Sequence, residues 1–305
     1  MAGSWLPWAM RGAPEMVPAM WTAPVRSYVE FEALRRFLGD RPEQWRAHER
    51  SLIPVGVQAF TVPGFCGVCR KPASFAVDFL SAPEASDGER TPNWRERMVC
   101  GSCNLNTRMR GSMQLFRERL EGWARARVYV TEQTSSLFQS LKKSCRRLVG
   151  SEFLNDGTQR GHTNARKIRH EDVTDLSFST GSLDAILTFD VLEHVPKYRR
   201  ALAEFARTLR RDGLLLMTVP FDLQARKTVA RAELRPDGSI VHHLPAEYHG
   251  DPVGGGEGIL AYHVFGWDLL DAIRASGFRH AEMHFYWSAE LGYVGGLQSV
   301  IVANT

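Results

Sequence analysis

Four of the five cysteines stand in two pairs, Cys66-Gly67-Val68-Cys69 and Cys100-Gly101-Ser102-Cys103. Two residues between thiols let both sulfurs face one ion from a tight knuckle. Two knuckles complete the tetrahedral four-thiolate shell that structural zinc prefers, with no position left open for a substrate. Two disulfides or a redox pair are the alternatives. Both are disfavoured in a chain without a secretion signal, because cytosolic thiols stay reduced. Trp5, Leu6, Pro7, Trp8 and Arg11 form no such signal. The leftover Cys145 reads as a core or helix residue.

The elements that position the knuckles follow from pattern. Alternation over 74–79 and a polar, Pro-containing loop over 81–92 predict a hairpin between the pairs. After Cys103, Met113, Phe116, Leu120 and Trp123 recur at helical spacing, widened by Leu115. Arg108, Arg110, Arg117, Arg119, Arg125 and Arg127 crowd this stretch and read as a solvated helix face.

From residue 127 onward, strand and helix patterns alternate. Residues 128–130, 147–150, 167–169, 183–189 and 213–219 read as five strands. Residues 135–145 and 198–209 read as helices between them. A helix over 265–273 and strands over 280–288 and 298–303 close the domain. The expected fold is α/β, a doubly wound, mostly parallel seven-stranded sheet preceded by a small zinc-binding module. Ligands of such sheets sit at the carboxyl ends of the strands. The expected division is an N-terminal extension over 1–62, helical near 28–38; a zinc module with its connecting helix over 63–124; and the sheet domain over 125–305. The extension is expected to pack on the sheet domain, cover its site or join a homodimer.

Knuckle, hairpin, knuckle and helix together resemble a treble-clef zinc finger. Three further segments occur in a fixed order. They are Glu171-Asp172-Val173-Thr174-Asp175, then Asp190-Val191-Leu192-Glu193-His194, then the turn Leu209-Arg210-Arg211-Asp212-Gly213 before a strand. Over about residues 127–302 they resemble the class I, Rossmann-like S-adenosylmethionine-dependent methyltransferases. The resemblance implies S-adenosylmethionine (SAM) as cofactor, with Glu171, Asp172 and Val173 beside adenine. It puts Glu152 on the ribose diol with Phe153 next to it, and Asp190 also among the cofactor-binding residues. The chemistry agrees: the exocyclic amine of adenine needs an acceptor, and the diol suits a carboxylate. One departure stands out. Where that family carries a glycine-rich turn, this chain reads Thr131-Glu132-Gln133-Thr134-Ser135, with no glycine. Glu132 is expected to receive the cofactor ammonium, and Gln133, Thr134 and Ser135 to form a rebuilt loop whose hydroxyls cap the next helix and meet the cofactor carboxylate. A domain that no longer binds cofactor is the competing reading.

Methyl transfer needs an aligned acceptor and, for many acceptors, a base. His194 is one candidate, weighed evenly against a structural histidine. The run His242-His243-Leu244-Pro245-Ala246-Glu247-Tyr248-His249-Gly250-Asp251 supplies another, with His249 as base and Asp251 orienting it. Tyr248, Tyr262 and Trp267 are expected to wall the acceptor pocket, and Gly254-Gly255-Gly256 to mark a mobile lid. A surface loop with incidental histidines is the bland alternative. A second metal using His242, His243 or His249 with Glu247 or Asp251 is disfavoured, because no two of these histidines have one-turn ligand spacing.

At 305 residues, 44% hydrophobic and net charge +4, the chain can bury one large core plus a small module. Its apolar runs are too short to span a bilayer, so no membrane partner is expected and the expected compartment is the cytoplasm. The function expected is methylation of oxygen or nitrogen on a small metabolite, a sugar or natural-product intermediate, with structural Zn2+. The rivals are an RNA or protein methyltransferase that recognises its partner through the zinc module, with nucleic acid not favoured, and a non-catalytic partner module.

Overall fold

The structure is a computed structural model, in which residues 17–80, 82, 90–250, 253–254 and 258–305 are described. Its centre is a seven-stranded sheet. Four strands run parallel and adjacent: β6 (Arg147–Gly150), β5 (Arg127–Val130), β7 (Leu183–Phe189) and β8 (Leu209–Thr218). The sheet continues antiparallel through β16 (Tyr293–Asn304), β15 (His280–Ser288) and β1 (Trp21–Val25). Because β15 reverses the reversal of β16, five of the seven strands point the same way, and the sheet is mostly parallel.

Two strands depart from the expected pattern. Residues 167–169 do not form the third strand. Gln133 takes the ladder's place there, its amide oxygen accepting from Arg169 N and its amide nitrogen donating to Lys167 O. Lys167 also turns left-handed, at φ 60°. A single parallel bridge, Glu152 to His170, remains. The seventh strand comes instead from the extension: β1 pairs with β15 from Trp21↔Trp287 to Val25↔Met283. Helices α1 (Tyr28–Leu38) and α2 (Arg41–Ser51) follow it. Trp45 of α2 stacks on Trp287, 5.0 Å between ring centroids. The buried Glu49 accepts from Trp287 Nε1, Gly295 N and Gly296 N, which clamps α2 onto the hairpin of β15 and β16. A strand-length apolar pattern of five residues ending in Pro-Val is too short to be read as a strand without its partner.

The cysteine module is a three-stranded sheet, β2 (Ala59–Cys66), β3 (Lys71–Asp78) and β4 (Met98–Cys100), with the short helix α3 (Trp94–Arg97) before β4 and α4 (Thr107–Arg119) after it. The pairing of β3 with β4 is the hairpin expected between the knuckles; part of its loop, 81 and 83–89, lies outside the described residues.

Strand alternation sends side chains to opposite faces. Val128, Val130, Ala185, Leu187, Leu214 and Leu216 face one way and meet Phe75, Met98, Met113, Phe116 and Leu137. Tyr129, Ile186, Leu215 and Met217 face the other way and meet Phe31, α6 (Tyr198–Thr208) and α7 (Asp268–Ala275). The cysteine module is therefore part of the layer over one face of the sheet, together with α5 (Ser136–Lys142).

That packing overturns the solvated-face reading for the first of the arginines, while Arg119, Arg125 and Arg127 are exposed as expected. Arg108 and Arg110 are buried. Arg110 lies 4.0 Å from the centre of the Phe75 ring and donates to the backbone oxygens of Leu291 and Gly292. Arg117 donates to Val68 O, and Arg119 to Glu282. Charge density along a helix does not say which face is covered, and here the module's helix is wrapped by β16 and α3. Gly111 permits the approach: a Cβ there would lie 2.3 to 2.4 Å from the Tyr286 phenol.

Between β8 and β15 the chain makes small ribbons: β9 (Val229–Ala230) with β14 (His263–Val264), β10 (Ala232–Leu234) with β11 (Ile240–His242), and β12 (Tyr248–His249) with β13 (Ile259–Leu260). No helix of the described residues is long and apolar enough to cross a membrane.

Candidate functional site

The parallel strands end together, and their first residues beyond the sheet form the site. Glu132 follows β5, Glu152 follows β6 and Asp190 follows β7. Glu132 has one carboxylate oxygen buried without a hydrogen-bond partner. Burial pushes its pKa up to about 7, against the pull of the Arg108 guanidinium. Glu152 Oε1 accepts from Gln133 N, Thr134 N and Thr134 Oγ1 at 2.7 to 2.8 Å. The glycine-free loop is thus folded onto that carboxylate, and Ser135 caps α5 by accepting from Phe138 N. Residues 152–153 run beside 170–172, with Glu171 N donating to Glu152 O. Phe153 is 70% exposed, its ring 5.4 Å from that of His170. Asp172 Oδ1 accepts from Thr174 N and Thr174 Oγ1, fixing the turn. Val173 packs against the core. Glu171 turns inward and is consumed by Arg169 and Ser177, so it is not presented to a ligand.

Asp190 takes a left-handed backbone, φ 52°, and its carboxylate meets the cysteine module. Arg95 of α3 donates to it at 3.1 and 3.2 Å, Arg108 Nε lies 3.2 Å away, and Thr218 Oγ1 donates at 2.9 Å. Burial opposes the charge, and Arg108 and Arg95 more than offset it, leaving the pKa at about 2. Glu96 closes the network by accepting from Arg108 and Asn106. Arg95 and Glu96 carry no signal in the sequence, because the loop before the second knuckle has no register with the sheet.

Beside Asp190 lies a cavity of about 400 Å³, walled by Glu193, Thr218, Phe221, His249, Met283 and Ser299 among others. His249 lines it, and His194, far from His249 in sequence, meets that ring with centroids 4.8 Å apart. His194 Nδ1 is 2.9 Å from Leu260 O. His249 lies between Glu193, 3.5 Å from Nδ1, and Glu247, 3.2 Å from Nε2. Glu193 raises the His249 pKa to about 9, with Glu247 adding to it and burial opposing. Asp251, expected to orient His249, lies outside the described residues, as do Gly255 and Gly256 of the expected lid.

The expected aromatic wall is elsewhere. Trp267 is buried in the core against Phe31 and Phe285. Tyr262 is buried with Ala232 and Leu260, and Tyr248 is 46% exposed. Aromatic character suits a pocket wall and a core equally well.

The four cysteine sulfurs cluster, each within 4.8 Å of the others, and Cys66 Sγ stands 3.8 Å from Cys103 Sγ. A tetrahedral shell with zinc–sulfur bonds of about 2.3 Å has edges of about 3.8 Å. Cys69 N and Ser102 N point at Cys66 Sγ and Cys100 Sγ at 3.5 and 3.4 Å, as donors toward thiolate. The donor set fits a structural divalent ion. The methionyl and adenine ends of SAM also find counterparts: the unpartnered Glu132 oxygen suits an ammonium, and the exposed Phe153 ring offers a stacking face.

Comparison with known proteins agrees with this layout. Residues 133–217 match the family model of a methyltransferase domain. No curated protein matches the chain. Among solved structures, an S-adenosylmethionine dependent methyltransferase from Mesorhizobium loti is 13% identical, covering 64% of this chain and 98% of its own, at a TM-score of 0.38. A SAM-dependent methyltransferase from Thermotoga maritima is 15% identical, covering 64% and 88%, at 0.36. The [4+2]-cyclase SpnF is 16% identical, covering 57% and 60%, at 0.39. The matched stretch, a methyltransferase domain, spans most of the parallel half of the sheet, and the four-cysteine cluster is built against that sheet.

Proposed function

We propose that the protein transfers the methyl group of SAM to an oxygen or nitrogen of a small metabolite, a sugar or natural-product intermediate, bound in the cavity beside Asp190. The observation that carries this reading is the cavity itself. Its volume of about 400 Å³ suits a small molecule, and it opens where strands β7 and β8 end. SAM supplies the methyl group. Glu132 would hold the ammonium, Glu152 the ribose, and Phe153 with Asp172 the adenine. Thr218 and Arg95 fix the Asp190 carboxylate at the cavity's edge. A proton leaving an acceptor has the Glu193–His249 pair beside it. The cysteine cluster holds a structural zinc ion that fixes α3 and α4, and through them Arg95 and Arg108.

A non-catalytic reading has one observation in its favour: the Gln133 and Thr134 amides are already spent on Glu152. Recognition of RNA through the module's arginines loses support, because Arg108 and Arg110 are buried. Calorimetry with SAM, followed by release of S-adenosylhomocysteine across a panel of hydroxyl and amine acceptors, separates the readings. Saturable binding and turnover on a small acceptor are expected. Absence of heat with SAM and S-adenosylhomocysteine alike sinks the enzyme reading.

A further inference from the structure

Glu193 is fully buried, and neither of its carboxylate oxygens has a hydrogen-bond partner. A buried carboxylate without donors is costly, so the position calls for a cation. Two imidazoles surround it. His194 Nε2 is 3.7 Å and His249 Nδ1 3.5 Å from the same oxygen, Oε1. The other nitrogen of each ring is taken. Leu260 O can only accept, so His194 Nδ1 carries its hydrogen there, and its Nε2 faces Glu193 as a lone pair. His249 Nε2 faces Glu247 Oε1, which directs a hydrogen to that side and leaves Nδ1 toward Glu193. One ligand atom from each of the three residues lies within 4.8 Å of the others.

We propose that Glu193, His194 and His249 form a second metal site, for a divalent first-row transition ion, distinct from the cysteine cluster. With bonds of about 2.1 Å, ligand atoms on a tetrahedron stand about 3.4 Å apart, so the observed spacings close with small shifts. Two imidazoles and a carboxylate suit Zn2+, Fe2+ or Co2+. Leu260 O and Glu247 are the outer groups that orient the two rings. Three protein ligands leave a position open toward the cavity, unlike the closed four-thiolate shell. An ion there would bind an oxygen of the acceptor directly and lower the pKa of a coordinated hydroxyl. The site escaped sequence reasoning because its ligands are not at helical spacing: two come from the short turn Leu192–His194 and the third from β12.

Co2+ added to tag-free protein shown by metal analysis to carry one zinc per chain, with the four thiols unreactive, tests this, since the thiolates are then filled and the second site is free. The expected result is saturable 1:1 binding with weak visible bands and no thiolate charge-transfer band. His249→Ala, on the half-exposed ribbon, and Glu193→Gln should abolish it, with folding checked by circular dichroism. Glu247→Gln should weaken it about 10- to 100-fold. A cluster held only by a proton on His249 binds no Co2+. That outcome, or unchanged binding in His249→Ala, overturns the proposal, and neither depends on whether methyl transfer is observed.

Discussion

Glu132→Gln should move stability and cofactor affinity in opposite directions. The wild-type carboxyl has a pKa of about 7, raised from 4.5 chiefly by burial and opposed by Arg108, and one of its oxygens has no partner. Between pH 4.5 and 7 the folded chain keeps a proton that the unfolded chain has released. Stability from this group therefore falls as pH rises through that window and is flat above it. Replacement by Gln removes the cost of ionising the buried group. Unfolding at pH 8 should then require more denaturant, the gain being at most about 3 kcal/mol from the shift and less where the other oxygen is solvated. The cofactor ammonium needs the charged form. The ionised fraction falls from about 0.9 at pH 8 to about 0.1 at pH 6, so SAM affinity should drop about tenfold over that range. In the Gln variant this pH dependence should vanish. A charge-assisted hydrogen bond contributes about 1.5–3 kcal/mol, so affinity at pH 8 should be lower by roughly 10- to 100-fold. Calorimetry against pH, with urea unfolding of both proteins, measures both halves. A Gln variant that binds SAM as tightly as the parent refutes the placement of the ammonium. A variant no more stable at pH 8 refutes the burial cost.

Three shorter tests address the rest of the frame. Gly111→Ala forces a Cβ into the Tyr286 ring and should cost about 1–3 kcal/mol of stability; an unchanged urea midpoint rejects this packing of α4 on the sheet. Cys66→Ser should lose one zinc per chain and lower the melting temperature, because structural zinc contributes folding free energy; metal analysis finding no zinc in the parent ends that claim. Glu152→Ala and Asp172→Ala should each weaken SAM binding at least about fivefold, the first also by freeing the Gln133 and Thr134 amides, and unchanged affinity in both removes the ribose and adenine assignments.

The strands that carry the candidate site were legible because each is a short apolar run with its own turn signals, and β6, β7 and α1 fall on the expected residues. The cysteines were legible because spacing alone brings two thiols to one point. What failed depends on pairing and burial, which spacing does not encode. The run 167–169 has strand character, but Gln133 reaches it before a ladder can. Trp21 to Val25 becomes a strand only because β15 offers an edge to it. Trp267 and Tyr262 have the composition of a pocket wall and the position of a core. His194 and His249 were each visible, but their meeting at Glu193 requires the ribbon between β8 and β15 to fold back over the turn at 192–194.

The cysteine module is best understood through the charges it places. A recognition appendage would present its arginines to solvent. Here Arg95 and Arg108 run from α3 and α4 to Asp190, just beyond the end of β7, and Arg108 also acts on Glu132. An ion held by the thiolates would fix the start of α4 and the end of β4, and so set where those guanidinium groups stand. Without them, Asp190 and Glu132 would be two buried acids facing one another at the same strand ends, and burial would push both toward the neutral form. The module thus controls which of the two carboxyls is charged: Asp190, held at about 2, is committed to the protein's own arginines, while Glu132, at about 7, keeps an open oxygen for a cation from outside. That division of labour also gives the missing glycines a physical reading. On the proposed reading, the cofactor end is shaped by side chains arriving from a second module, and the glycine-free loop after β5 is held instead by the Glu152 carboxylate.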